Sequence, residues 1–317
     1  LLASIGVTAE ELANMLYESI ERLKQLPDET LVYPAHGAGS LCGKQLSQEK
    51  VSTIGDQKKY NYALQPMSRD EFIKMVEVDQ PDAPGYFVFD AIKNRQERPS
   101  LQTSMEESVK ALTLEEVLKL RGENAQILDV REAVDFEGAH LKGSLNIGLR
   151  GQYATWCGTL LTSDRPIVII AEEGEEREAI MRLGRIGFDN VAGYLKEGMQ
   201  ALDGHPELIG QTTRITAEAL AERLEVKYPS VVIDIRSNKE RETGFIEGSL
   251  HIPLTQLKER LNEIPVERSL VLHCAGGYRS AAGCSLLAQN GIPAMDLVGG
   301  FKAWEASKLP VAHPVSV

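Results

Sequence analysis

From about residue 109 onward, apolar positions alternate between two rhythms. Val231 to Ile235 is a short apolar run bounded by polar residues, which predicts a buried strand. Leu254, Leu257, Leu261 and Ile264 have helical spacing. Leu270 to His273 is again strand-like, and Arg279 to Gln289 reads as a helix that ends at Asn290-Gly291. The same order occurs upstream. Ile127-Leu128-Asp129-Val130-Arg131 matches Val232-Ile233-Asp234-Ile235-Arg236, and at the same offset Gly143-Ser144-Leu145-Asn146-Ile147 matches Gly248-Ser249-Leu250-His251-Ile252. Thr113-Leu114-Glu115-Glu116 opens an amphipathic segment with a capping-box pattern, and Thr216 opens its counterpart. Arg165 to Ile170 parallels Arg268 to His273. Four matches in one order make residues 109–208 and 209–317 two copies of one domain. The alternation predicts an α/β fold, a doubly wound parallel sheet in each copy with helices on both faces. Ligands in such sheets bind where strands end and helices begin.

Residues 1–95 stand outside the repeat. Thr8-Ala9-Glu10-Glu11 caps a predicted helix whose apolar stripe runs Leu12, Met15, Leu16, Ile20, Leu23. Leu31-Val32-Tyr33 looks like a strand leading into Pro34-Ala35-His36-Gly37. Residues 96–108 are polar, contain Pro99 and lack periodic apolar positions, so they read as a linker. Gly210 to Thr213 is a second, shorter junction. The 317 residues suffice for two or three domains of ordinary size. No apolar run approaches the roughly 20 residues that span a bilayer, so no membrane partner is expected. The net charge of −12 argues against nucleic acid, because phosphate binding wants clustered Lys and Arg. Cys42, Cys157, Cys274 and Cys284 lie far apart with no CxxC pair. That pattern suits free thiols in a reducing compartment such as the cytoplasm. The chain opens on Leu1 without a Met, and further residues are expected ahead of it. Homo-oligomerisation stays open.

Chemistry concentrates in Leu270 to Ala281. A strand delivers Cys274 to its C-terminal edge, Gly276 and Gly277 let the backbone curl, and a helix starts near Tyr278-Arg279. Successive amides of Ala275, Gly276, Gly277 and Tyr278 in such a loop make an anion-binding nest. The helix start and Arg279 both favour thiolate over thiol at Cys274, and thiolate is the nucleophile. The same donors suit a persulfide or an incoming sulfur oxyanion. Cys284 falls inside the following helix and reads as core. Cys157 lies in a loop-like stretch after Trp156 and reads as structural.

Residues 209–317 resemble a rhodanese domain through the Asp234-Ile235-Arg236 strand end, Gly248 to Ile252, the loop Cys274 to Arg279 and the closing Gly299-Gly300-Phe301-Lys302-Ala303-Trp304. The resemblance implies a sulfurtransferase, with Cys274 and Arg279 catalytic and residues 275–278 binding substrate. The four residues between Cys274 and Arg279 fit sulfur-handling members, whereas related phosphatases place five there. A Cys-dependent phosphatase or arsenate reductase is therefore the weaker alternative, and a non-enzymatic persulfide sensor or carrier is another. The first copy resembles the same domain, but at the corresponding loop it reads Ala171-Glu172-Glu173-Gly174-Glu175-Glu176-Arg177. It offers no thiol and places four carboxylates where an anion would sit, so a non-catalytic spacer or docking domain is expected.

Tyr33 to Gly43 resembles the late metal-ligand motif of metallo-β-lactamase-fold hydrolases of the glyoxalase II and persulfide dioxygenase group. The whole chain is thus similar to fused persulfide dioxygenase–sulfurtransferases. On that resemblance residues 1–95 are the C-terminal fragment of a metallo-β-lactamase-like αββα domain. His36 would be a ligand to Fe(II), or Zn, and Cys42 a second sulfur carrier. Asp56 and Tyr60 are candidates for a substrate pocket. The family's HxHxDH cluster, a further His and a bridging Asp are absent from the 317 residues. One imidazole cannot hold a mononuclear site, so this chain is expected to bind no iron stoichiometrically. The expected partners are a small persulfide, thiosulfate, sulfite or a thiol, in a pathway of sulfide detoxification.

Overall fold

Thr8 starts the first helix by closing its own cap. In the computed structural model, which describes residues 7–34, 49–77 and 108–314, the Thr8 hydroxyl accepts the Glu11 amide at 3.1 Å and the Glu11 carboxylate accepts the Thr8 amide at 2.8 Å. This capping box opens α1 (Ala9–Leu23). β1 (Leu31–Val32) then pairs antiparallel with β2 (Ser52–Thr53), followed by α2 (Ile54–Tyr60) and α3 (Arg69–Glu77). These elements belong to one unit, Leu1–Arg95, and the rest of the chain forms a second, Gln96–Val317. The stripe read on α1 only partly becomes its packed face, since Ile20 joins it and three of its other members do not. Met15, Leu16 and Leu23 are exposed, while Ala13, Tyr17 and Ile20 face Phe72 and Val76 of α3. Small Ala13 sets this choice, because it lets the Phe72 ring close on the helix, edge-on to Tyr17 at 5.4 Å. Thr53 caps α2, its hydroxyl accepting the Asp56 amide at 3.1 Å and donating to the Asp56 carboxylate at 2.9 Å, and Tyr60 is exposed. His36 and Cys42 lie outside the described residues.

The second unit contains the repeat. Its first half runs β3 (Ala111–Leu112), α4 (Leu114–Gly122), β4 (Gln126–Asp129), α5 (Ala133–Gly138), β5 (His140–Leu141), β6 (Leu145–Asn146), α6 (Tyr153–Leu160), β7 (Ile167–Ile170), α7 (Glu176–Arg185) and β8 (Val191–Leu195). β9 (Ile209–Gly210) returns to pair antiparallel with β5. The second half runs β10 (Arg214–Ile215), α8 (Ala217–Leu224), β11 (Val231–Asp234), α9 (Asn238–Glu242), β12 (Leu250–His251), α10 (Leu254–Leu257), β13 (Leu270–His273), α11 (Tyr278–Gln289), β14 (Met295–Leu297) and α12 (Gly300–Ala306). The sheets have equivalent orders, β3-β8-β7-β4-β6 and β10-β14-β13-β11-β12, with every neighbouring pair parallel. The fold is α/β. Every residue of β7 and of β13 is buried, as expected for central strands covered on both faces.

Two local expectations need correction. Cys157 is not in a loop. Tyr153, Trp156, Cys157 and Leu160 form the buried stripe of α6, a helical period that Gly151 and Gly158 disguise. Leu254 to Ile264 is not one helix but α10 followed by a 3-10 turn over Leu261–Glu263. Pro265 pushes Ile264 to extended backbone, ψ 123°, which ends the segment. Among the described residues no helix is long and apolar enough to cross a membrane.

At the joint between the copies, Glu137 of α5 meets Asp296 of β14. Arg214 Nε is 2.9 Å from Glu137 Oε2. Glu137 Oε1 and Asp296 Oδ1 are buried and find no donor among the described residues. Burial first, then repulsion by Glu137, pushes Asp296 up to about 8, so a carboxyl proton supplies the missing donor at neutral pH. The unfolded aspartate loses that proton near pH ~4, while the folded one keeps it to about 8. Stability from this pair therefore falls as pH rises through that window. Thermal midpoints should drop with pH more in the native protein than in Asp296→Asn. Parallel profiles would contradict a shared proton.

Candidate active site

β13 ends at His273 and delivers Cys274 to the C-terminal edge of the middle strand of the second sheet. Gly277, with φ 107°, is the N-cap of α11. L side chains avoid that φ, so glycine is required to turn the chain there. The turn brings the Gly277 amide to 3.1 Å from Cys274 Sγ, and Ser280 Oγ to 3.6 Å. The loop carbonyls point the other way because the start of α12 donates to them, Phe301 N to Cys274 O at 2.8 Å and Lys302 N to Ala275 O at 3.0 Å. Gly300 permits that approach. Its φ is 60°, and a Cβ on it would lie 2.4 Å from Cys274 O and 2.9 Å from Gly276 N. No carbonyl among the described residues accepts the amides of Ala275 and Gly276. The loop thus places one amide on the sulfur and leaves two neighbouring N–H groups open to a ligand, as an anion-binding nest would. Cys274 is only 1% exposed, so a slender terminal atom suits it better than a bulky group.

Arg279 does not stand free beside the sulfur as its sequence position suggests. Its Nη1 and Nη2 donate to both oxygens of Glu240 at 2.7 and 2.6 Å. Burial opposes its charge, but Glu240 and then Cys274 more than offset this and raise its pKa. Glu240 in turn is held down to about 2, chiefly by Arg279, and also caps α9 through Ser237. Sequence reasoning missed Glu240, although Ser237-x-x-Glu240 is a legible capping box. The side chain of Tyr278 also departs from expectation. It turns from the loop to the first copy and donates to the Gly148 carbonyl at 2.7 Å. Only its backbone remains available to a ligand. His273, pushed down to about 4 mainly by burial, is neutral and faces the Cys274 carbonyl with Nδ1 at 3.2 Å.

The strand-end ion pair does not distinguish the copies. Asp234 accepts from Arg236 at 2.7 Å, and Asp129 accepts from Arg131 at 2.7 Å in the first. The loops do. At the Cys274 position stands Ala171, and the amide of Gly174, equivalent to Gly277, donates to Glu176 Oε2 at 2.9 Å. The four carboxylates do not converge, as the sequence led one to expect. Glu172 and Glu173 are exposed and Glu175 pairs with Arg150 at 3.3 Å, so Glu176 alone occupies the nest. Cys157 and Cys284 are buried, and burial pushes both thiols well above the usual range. Among the described residues no three His, Cys, Asp or Glu side chains gather as a metal site.

The Rhodanese-like domain family matches residues 113–205 and 216–307, together more than half of the chain. A sulfurtransferase of Allochromatium vinosum is 35% identical over 101 residues, which are 32% of this chain and 94% of that protein. A rhodanese-related protein of Thermoplasma volcanium shares 31% identity at a TM-score of 0.30, covering 32% of this chain and 97% of its own. A metallo-beta-lactamase of Staphylococcus aureus shares 30% identity at a TM-score of 0.48, covering 57% of this chain and 49% of its own. With the two matched copies and the shared sheet order, the chain belongs to the rhodanese family.

Proposed function

We propose that this chain is a sulfurtransferase that carries sulfane sulfur as a persulfide on Cys274. The observation that carries the reading is the Gly277 amide 3.1 Å from Cys274 Sγ, in a loop where the amides of Ala275 and Gly276 have no carbonyl partner among the described residues. Charge-assisted bonds of this kind hold an anionic sulfur, whether on the enzyme or in the substrate. The Cys274 thiolate attacks the outer sulfur of thiosulfate or of a small persulfide. The donor S–S bond breaks, its electron pair leaves with sulfite or thiolate, and Cys274 keeps the sulfur. An acceptor thiolate or sulfite then attacks that outer sulfur, and Cys274 leaves as thiolate. Steady-state formation of thiosulfate from persulfide and sulfite tests the reading. Stoichiometric uptake without turnover would favour a sensor or carrier instead.

Arg279 supports this chemistry through its position at the loop end. Arg279→Ala is expected to lower kcat/KM for thiosulfate roughly 10- to 1000-fold, the scale of losing a preorganised charge. Glu240→Gln keeps an acceptor for the guanidinium and should cost much less. An Arg279→Ala enzyme with unchanged kcat/KM would remove Arg279 from the reaction.

The first copy is read as catalytically silent, because Glu176 already fills its nest. Ala171→Cys in a Cys274→Ser background should therefore gain no measurable transfer. Activity comparable to the native protein would show that the carboxylate is no barrier. Coupling to persulfide oxidation is a further proposal. It rests on the resemblance of Tyr33 to Gly43, with His36 as a candidate Fe(II) or Zn ligand and Cys42 as a second sulfur carrier. Sulfite made by such a reaction would be an acceptor for the sulfur on Cys274.

A further inference from the structure

The Cys274 loop is held by both copies, not by its own alone. Tyr278, between Gly277 and Arg279, reaches across the joint and donates its hydroxyl to Gly148 of the first copy at 2.7 Å. Its ring fills a slot floored by two glycines. A Cβ on Gly151 would lie 2.2 Å from the ring Cζ and 2.7 Å from Oη, and one on Gly148 would lie 3.2 Å from Cε2. Neither glycine has a φ in the left-handed range that favours glycine, so backbone strain of that kind does not call for glycine there. What excludes a side chain there is the Tyr278 ring.

The second copy shows that the slot is not a general feature of the domain. Ile147 N donates to Asp129 O and Leu149 N to Val130 O, as Ile252 N does to Asp234 O and Leu254 N to Ile235 O. Gly151 N faces Gly148 O as Gln256 N faces Pro253 O. The positions therefore correspond, and the copy with the thiol carries Pro253 and Gln256 where the silent copy carries Gly148 and Gly151. The helix behind Tyr278 is docked too. Ser285 Oγ of α11 accepts the Asn146 amide of edge strand β6 at 3.0 Å, and Gln289 Nε2 donates to Gly143 O at 2.8 Å. With α11 fixed on the first copy, the seat of Tyr278 decides where the adjoining Gly277 amide points.

We propose that the silent first copy is a positioning component of the Cys274 site, in which Tyr278, seated between Gly148 and Gly151, fixes the Gly277 amide on the sulfur. Tyr278, Gly148 and Gly151 are positioning residues, since none of them is required to touch substrate through its side chain. This inference rests on the sulfur-transfer reading for its rate, but not for its geometry. A displacement of the order of 1 Å at a reacting centre lowers rates by about 10²-fold.

The experiment compares the full chain with Gly151→Ala, Tyr278→Ala, Tyr278→Phe and the double variant Gly151→Ala/Tyr278→Ala. Each is assayed for kcat and KM with thiosulfate, for thermal midpoint, and for the iodoacetamide alkylation rate of Cys274 followed by peptide mass spectrometry. Gly151→Ala should lose roughly 10- to 100-fold in kcat with a smaller change in KM. Tyr278→Phe, which keeps the ring and loses only the hydroxyl, should lose less. In the double variant the added methyl has no ring to displace, so its activity should equal that of Tyr278→Ala rather than the product of both losses. The Cys274 alkylation rate should shift in Gly151→Ala and in Tyr278→Ala. Native kcat in Gly151→Ala, multiplicative losses in the double variant, or losses explained wholly by the unfolded fraction would each overturn the proposal. If the native protein transfers no sulfur, the proposed function fails. The alkylation rates then decide the positioning alone, and an unchanged rate in Gly151→Ala refutes it.

Discussion

Cys274→Ser is expected to abolish sulfur transfer in a protein that still folds. The hydroxyl oxygen can accept the Gly277 amide and meet Ser280 much as the sulfur does, at 3.1 and 3.6 Å in the native protein. The buried site therefore keeps its hydrogen bonds, and the change in stability should stay within about 1 kcal/mol. The chemistry has no such substitute. An alcohol is barely ionised near neutral pH and does not leave readily from an O–S bond, whereas a thiolate both attacks and departs. Turnover with thiosulfate should fall by about 10³-fold or more, the scale on which loss of a nucleophile is read. Turnover in the serine variant equal to the native enzyme would end the assignment of Cys274.

Gly300→Ala should have the second-largest effect, and for a different reason. Its φ of 60° disfavours any side chain, and the new Cβ would sit 2.4 Å from Cys274 O and 2.9 Å from both Ala275 C and Gly276 N. All three are backbone atoms, so no rotamer change relieves the clash. The start of α12 must back away, which breaks Phe301 N to Cys274 O and Lys302 N to Ala275 O. Those two bonds keep the loop carbonyls turned outward, so their loss lets carbonyl oxygens face the sulfur. The expected cost is about 2–4 kcal/mol of stability and about 100-fold or more in kcat/KM. Urea unfolding and steady-state kinetics on the folded variant check both parts. A variant with native kcat/KM would mean that α12 does not shape the loop.

How far these features were legible in the sequence depended on their range. The capping boxes at Thr8 and Thr113 and the end of α11 at Asn290-Gly291 involve residues a few positions apart, and the structure shows each. The strands around Asp129 and Asp234 were legible because both copies repeat them. The place of Cys274 followed from an apolar run ending in two glycines. The partners of Arg279 and Tyr278 were not legible, because Glu240 lies on another helix and Gly148 lies in the other copy. Pairings across a fold leave no local period. Cys157 misled for the opposite reason, since two glycines near it masked a helical stripe that tertiary burial enforces. On α1, periodicity offered a stripe of large residues, but packing kept only Ile20 of it and turned the face toward Ala13 and Tyr17.

The central claim is that sulfur resides covalently on Cys274 during turnover. The measurement that tests it most directly is peptide mass spectrometry of the native protein after brief exposure to thiosulfate and removal of excess donor. The expected result is a gain of one sulfur atom on the peptide containing Cys274, lost again when sulfite or a thiol is added. The buried Cys157 and Cys284 should remain unmodified. A protein that turns over thiosulfate while the Cys274 peptide never carries the extra sulfur, under conditions that trap persulfides, would contradict the account.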